Sequence, residues 1–140
     1  MICRVVNETS FDVNEEMLKK CVRETVRAFG KNEDISCSIV IAGLDKIREL
    51  NEKYYNKKGA TDVLTFSSEE EDYAGDVVVC PSYIKESTGE EGFEWEFCHV
   101  VVHGTIHLLG IHHEEDEKNG HTKQHEKEVE IINKVLKNNN

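Results

Sequence analysis

The sequence has no long apolar run, and this absence limits the class of protein that it encodes. Its 140 residues contain no stretch close to the roughly 18 apolar residues of a membrane-spanning helix. The opening residues, MICRVVNETSF, also lack the apolar segment of a signal peptide. We therefore expect a cytoplasmic protein without a membrane partner, folded as one domain over residues 1–140 around a single core.

Paired cysteines are also missing. The five cysteines are odd in number, lie far apart in the chain and form no C-x-x-C pair. This pattern argues against a disulfide framework and against a zinc knuckle built from cysteines. Reduced thiols in a cytoplasm fit the pattern best.

Basic residues are scarce, and the formal net charge is -11. Because phosphate binding needs Lys and Arg, this overall charge disfavours a nucleic-acid partner. The imbalance is uneven, however, since residues 1–66 contain 11 basic and 11 acidic side chains, whereas residues 67–140 contain 6 and 17. A polyanion that binds this protein should therefore approach the first half of the chain.

The sequence does contain an alternation of apolar patterns typical of strands and helices. It has no internal repeat and no linker. β-branched runs predict strands at 2–6, 35–42, 63–66 and 76–80. The last two are joined by the acidic segment EEEDYAG, which suits a hairpin, and Pro81 should end that pairing. Helical periodicity predicts helices at 13–29, 44–55, 94–109 and 122–136.

The predicted helix 94–109 differs from the others because it is apolar on nearly every side, which is typical of a central helix. His99, His103 and His107 are spaced at four residues and therefore form one stripe along it. Three histidines on a buried helix require polar partners or a metal ion.

The stretch HGTIHLLGIHH, from His103 to His113, indicates a metal site. His103 and His107 present two imidazoles on one helix face, each able to reach Zn²⁺ at about 2.0 to 2.1 Å. Gly110 permits a turn that returns His113 as a third ligand. Three neutral ligands leave a fourth position for water, as in catalytic zinc sites. Separately hydrogen-bonded core histidines are the less favoured alternative, and imidazole also suits nickel, copper and iron.

The same stretch is close to the metalloprotease signature H-E-x-x-H-x-x-G-x-x-H, but Gly104 stands where that signature has glutamate. It is more similar to H-G-x-L-H-L-x-G-Y-D-H, the signature of the YbeY-type endoribonucleases that act in bacterial ribosomal RNA maturation. Two further blocks resemble this family in the same order. They are LNEKYY at 50–55 with TDVLTF at 61–66, and GDVVV at 75–79.

The resemblance covers roughly residues 50–115 and carries several expectations. It implies an α+β fold in which a small mixed sheet packs with helices, and a zincin-like metal cleft beside a central histidine-bearing helix. It implies one Zn²⁺ per chain, held by His103, His107 and His113. The implied activity is a single-strand-specific endoribonuclease in ribosome biogenesis that cleaves ribosomal RNA precursors with a zinc-bound water. Ribosomal proteins are possible partners, and DNA is not expected.

The chain departs from the family pattern at two positions. Tyr55 replaces an arginine, and tyrosine can stack on a base but cannot neutralise a phosphate. Lys57 and Lys58 follow closely and are candidates to supply that charge, so Tyr55, Lys57 and Lys58 are the predicted RNA-binding residues. His112 replaces an aspartate and is a possible rival ligand beside His113.

Several other residues keep two interpretations each. Asp62 and Asp76 either orient an imidazole or serve as turn and cap residues. His99 either lines the cleft or bonds a buried backbone group. His121 and His125 lie among charged residues, which favours a solvated helix face over a second metal site.

Two alternative functions also remain open. The first is a non-catalytic, RNA- or ribosome-associated zinc module, which Tyr55 and the acidic second half would suit. The second, a metalloprotease, is disfavoured because Gly104 supplies no base for proton transfer to the leaving amine.

Overall fold

The computed structural model describes residues 2–111 and 117–137, with side chains for 3–111 and 123–137. These residues form four strands and four helices in an α+β arrangement, which confirms the predicted class. In chain order the elements are β1 (Ile2–Asn7), α1 (Glu15–Ala28), β2 (Ser36–Ile41), α2 (Leu44–Tyr55), β3 (Val63–Ser67), β4 (Tyr73–Val79), α3 (Pro81–Leu108) and α4 (Glu117–Lys137).

The strands form one mixed sheet in the order β1-β2-β4-β3. β1, β2 and β4 run parallel, while β3 pairs antiparallel with β4, which confirms the predicted hairpin. Gly75 occupies a position in β4 that only glycine tolerates. Its φ is 134°, and a Cβ there would lie 2.1 Å from the carbonyl oxygen of Phe66.

Helix α1 follows the sequence prediction closely because its ends carry clear local signals. The Asn14 side chain caps the first turn by accepting a hydrogen bond from the Met17 amide at 3.1 Å. Gly30, with φ 62°, lies just beyond the end of the helix in the left-handed region. Between these caps one helix face is buried against the core.

The beginning of helix α3 corrects the sequence prediction, which placed no helix between the strand at 76–80 and residue 94. Pro81 ends the β4 pairing as expected, but it is also the first residue of α3. Proline suits that position because the first amides of a helix need no internal acceptor. Gly89, with φ 73° and ψ -175°, then breaks the helical backbone before the histidine-bearing part begins.

The histidine-bearing part of α3 is central, as predicted. It packs against α1, α4 and the β3–β4 hairpin. Its buried apolar side chains are Phe97, Cys98, Val100, Val101, Val102 and Ile106. Helix α4 contributes Ile131, Ile132 and Val135 to the same core. No helix in the described part of the chain combines the length and the apolar character needed to cross a membrane.

Candidate metal centre and cleft

A cavity of about 480 Å³ lies where α3 faces strand β3 and helix α4. The histidine stripe of α3 forms one wall, so the packing of the core leaves these polar side chains facing an open space. The residues that line it are Tyr55, Asp62, Val63, Leu64, Thr65, Glu96, His99, Val100, His103, Gly104, His107, His125 and Glu128.

Two of the three predicted metal ligands lie side by side in this cleft. The Nε2 atoms of His103 and His107 are 3.0 Å apart. Two nitrogens bound to one tetrahedral ion at about 2.0 to 2.1 Å would be separated by roughly 3.3 Å. The two imidazoles therefore fit a shared ion with a small adjustment. His113 and its rival His112 lie outside the described residues, so the third ligand stays a prediction.

Glu128 of helix α4 fixes the orientation of His103. Its Oε2 lies 2.8 Å from Nδ1 of His103. An ionised carboxylate can only accept hydrogen bonds, so Nδ1 carries the proton and donates it. The lone pair of His103 is then on Nε2, the atom that faces His107. This is the carboxylate–histidine arrangement that commonly supports metal-binding imidazoles.

Glu128 keeps its charge although its side chain is only 5% exposed. Burial by itself would raise the pKa of this carboxyl. The hydrogen bonds from His103 and His99, together with the charges of these rings, outweigh burial and hold the pKa well below its ordinary value. The ion-pair partners of Glu128 within the described residues are all imidazoles.

His99 and His125 also face the Glu128 carboxylate. Nε2 of His99 lies 3.5 Å from Oε1 of Glu128, and Nδ1 of His125 lies 3.7 Å from the same oxygen. One ligand atom from each of the three residues falls within 4.8 Å of the others, so this His–His–Glu group could hold a metal ion. His99 thus lines the cleft, one of its two interpretations. The hydrogen bond to Glu128 raises its pKa, against the opposing effect of burial.

Sequence reasoning missed Glu128 and gave His125 a solvated position. His125 is indeed exposed, yet it lies at the mouth of the cleft. The only sequence signal is their spacing of three residues on one helix, which is too common among charged helices to indicate a site. Their role becomes visible only when α4 packs against α3.

Gly104 gives a steric reason for the missing protease glutamate. A Cβ at this position would lie 2.9 Å from Cγ1 of Val77 and 3.4 Å from Cγ2 of Thr65. Side chains larger than hydrogen therefore have no room unless α3 moves away from the sheet. The close approach of helix and hairpin excludes a glutamate here.

Comparisons with known proteins agree with this geometry. The family model described as Endoribonuclease YbeY matches residues 4–135. The chain belongs to the YbeY family. An endoribonuclease YbeY of Thermotoga maritima is 34% identical over 134 residues, which are 94% of this chain and 87% of that protein. One of Saccharopolyspora erythraea is 29% identical over 84% of this chain and 73% of that protein.

A solved structure has a similar fold. The solution structure of a Thermotoga maritima protein matches with a TM-score of 0.66 and 30% identity. The match covers 99% of this chain and 93% of that one. Membership of the YbeY family supports an endoribonuclease function for this chain.

The predicted RNA-binding residues differ in where they lie. Tyr55 lines the cleft, and its hydroxyl donates to the carbonyl of Thr65. Lys57 and Lys58 are exposed just beyond the end of α2 and are not among the described residues that line the cavity. The neighbouring Tyr54 is 57% exposed and therefore does not pack in the core.

The two candidate aspartates also lie in different places. Asp62 lines the cleft and accepts a hydrogen bond from the Thr61 hydroxyl at 3.3 Å. Asp76 accepts a hydrogen bond from the hydroxyl of Tyr73 and does not belong to the described cleft lining. Only Asp62 is therefore positioned to act in the cleft.

Proposed function

We propose that this chain, acting as one domain, is a cytoplasmic, zinc-dependent endoribonuclease that cleaves single-stranded segments of ribosomal RNA precursors during ribosome maturation. One observation carries the proposal: a histidine pair at ligand spacing, oriented by a buried carboxylate, in the cleft wall of a YbeY-family fold. Ribosomal proteins are candidate partners, and DNA is not an expected substrate.

The residues that would hold the ion are His103 and His107, with His113 as the third. A bound Zn²⁺ would lower the pKa of a water molecule and polarise a phosphoryl oxygen. Glu128 keeps the His103 proton on Nδ1, so that Nε2 stays available as a ligand atom. The steric exclusion of glutamate at Gly104 argues against peptide hydrolysis, which needs a base at that position.

A non-catalytic zinc module that binds RNA or ribosomes is the second candidate. It is favoured by the charge of the cleft. The described lining includes Asp62, Glu96 and Glu128 but neither a lysine nor an arginine that would hold a phosphate for cleavage, so RNA would bind elsewhere on the surface. Such an acidic lining repels a phosphate backbone unless a cation is bound. An open coordination position that exchanges water would distinguish the enzyme from the module.

Metal content of single variants tests the ligand assignment. We expect His113→Ala and His107→Ala to lose the zinc that the wild type carries at the histidine motif, because each removes one of three ligands. His112→Ala should keep most of it. The measurement is metal analysis of protein purified without an affinity tag. Equal loss in the His112 and His113 variants, or loss in His112→Ala alone, would show that the third ligand is wrongly assigned.

Cleavage assays with the same proteins test the activity. The wild type should cut single-stranded regions of a ribosomal RNA precursor in a metal-dependent manner, and duplex RNA and DNA serve as matched controls. Zinc binding without any RNA cleavage would favour the module instead.

A further inference from the structure

We propose that His99, Glu128 and His125 form a second divalent-metal site in the same cleft, and that an ion there binds a phosphate of the RNA backbone. This trio is called the wall site below, and the site of His103, His107 and the predicted His113 is called the motif site. The phosphate role rests on the proposed function, whereas metal binding at the wall site does not.

The spacing of the donor atoms supports this site. Oε1 of Glu128 lies 3.5 Å from Nε2 of His99 and 3.7 Å from Nδ1 of His125. Ligand atoms around one tetrahedral ion are separated by roughly 3.3 Å when each bond is about 2.0 to 2.1 Å long. The His99 and His125 atoms are within 4.8 Å of each other. His125 is 55% exposed and can therefore rotate to close that last distance.

The hydrogen bonds of the His99 ring also support a metal ion at the wall site. Nδ1 of His99 lies 3.3 Å from Oε1 of Glu96, which accepts its proton. Nε2 of His99 faces Oε1 of Glu128 at 3.5 Å, and in the metal-free protein a proton between them makes the hydrogen bond described above. A divalent ion can take the place of that proton and use both atoms as ligands. The carboxylate of Glu96 then orients His99 as Glu128 orients His103.

The two sites share no ligand atom. Glu128 directs Oε2 to Nδ1 of His103 and Oε1 to the wall site. His103 in turn presents its other nitrogen, Nε2, to His107. Glu128 therefore orients a ligand of the motif site through one oxygen and binds the wall-site ion through the other. Both ions can be held at once.

The acidic lining of the cleft indicates what an ion at the wall site would do. The described lining holds three carboxylates without a lysine or an arginine. A phosphate entering this cleft meets negative charge unless metal ions supply the positive charge. Two imidazoles and one carboxylate suit zinc and neighbouring transition ions, and they leave a coordination position open for a phosphate oxygen.

Metal stoichiometry in the absence of RNA tests the site. The full chain, stripped with chelator and titrated with Zn²⁺ alone in equilibrium dialysis, should bind two equivalents. His125→Ala should bind one, since it removes an exposed wall-site ligand without touching the core. His107→Ala should also bind one, and the double variant none. Glu126→Gln, an exposed acidic neighbour on the same helix, is the matched control and should bind two.

Two results would overturn the wall site: one equivalent in the wild type that His125→Ala retains, or two equivalents that His125→Ala leaves unchanged. Glu96→Gln adds a finer readout, because loss of an orienting carboxylate should weaken the second equivalent about 10-fold or more and spare the first.

RNA binding tests the phosphate role separately. With zinc saturating, His125→Ala should bind a single-stranded RNA several-fold more weakly than the wild type, as measured by fluorescence anisotropy. Unchanged affinity would overturn the phosphate role. Absence of RNA binding by the wild type would refute the proposed function, while the stoichiometry still decides whether the wall site exists.

Discussion

At the residue scale, Gly104 determines how closely the histidine-bearing helix approaches the sheet. Its missing side chain lets α3 rest on Val77 and Thr65, and this contact places the histidine stripe beside the hairpin. The same absence of a side chain removes the protease base. One small residue therefore sets both the geometry of the cleft and the chemistry that it lacks.

We predict that Gly104→Ala lowers the free energy of unfolding by about 1–3 kcal/mol, because the added methyl overpacks the helix–sheet contact. Urea denaturation measures this change. Gly92→Ala in the same helix is the control. A Cβ at Gly92 would lie 3.3 Å from the Cβ of Thr88 and would contact no residue of the sheet. A Gly104→Ala protein as stable as the wild type would mean that α3 can shift freely.

At the element scale, the pairing of α4 with α3 builds the polar part of the cleft. Glu128 on α4 contacts His99 and His103 on α3, so the two helices are joined by charge as well as by the apolar contacts below. A buried carboxylate surrounded by imidazoles makes the stability of the metal-free pair depend on pH.

We predict that the contact between Glu128 and His99 stabilises the metal-free protein most between about pH 4.5 and 6.5, the ordinary pKa values of Glu and His. The raised pKa of His99 gives stability that is complete below its ordinary value and is lost as pH rises through the folded-state pKa. The lowered pKa of Glu128 gives stability that is present above its ordinary value and is lost as pH falls below it.

Urea unfolding of chelator-stripped protein at several pH values tests this. Glu128→Gln should flatten the decline above pH 6.5, since the bond to Glu128 is the main cause of the His99 shift. Glu130→Gln, an exposed change on the same helix, should leave the decline intact. Equal slopes in the wild type and Glu128→Gln would contradict the assignment.

At the scale of the whole molecule, charge decides how RNA can approach. The excess of acidic residues falls in the second half of the sequence, and the described cleft lining is acidic as well. Lys57 and Lys58 lie at the exposed end of α2, next to Tyr55 at the cleft. An RNA strand held by these lysines would reach the cleft past Tyr55.

We predict that replacing Lys57 and Lys58 with alanine weakens RNA binding and leaves the metal content unchanged. The slope of log K against log salt concentration should become less steep by up to about two units, because up to two phosphate contacts are lost. Binding assays across a range of salt concentrations measure this. The matched control replaces Lys19 and Lys20, two consecutive lysines on α1, with alanine. An unaltered slope would move the RNA path elsewhere.

The sequence by itself determined the features that depend on neighbours along the chain. Apolar periodicity and caps predict α1 and the central part of α3, and histidine spacing places His103 and His107 on one face. The first part of α3 escaped prediction because Pro81 begins a helix as readily as it ends a strand, and local pattern cannot separate the two.

Only the tertiary structure decided which polar residues meet in the cleft. Glu128 is 25 residues from His103 in sequence, and their hydrogen bond exists because the apolar face of α4 packs against α3 and α1. That packing also brings His125 to His99. Burial of Ile131, Ile132 and Val135 sets the rotation of α4. Periodicity along the chain carries no information about which helix receives that face, so this half of the candidate site could not be predicted from sequence.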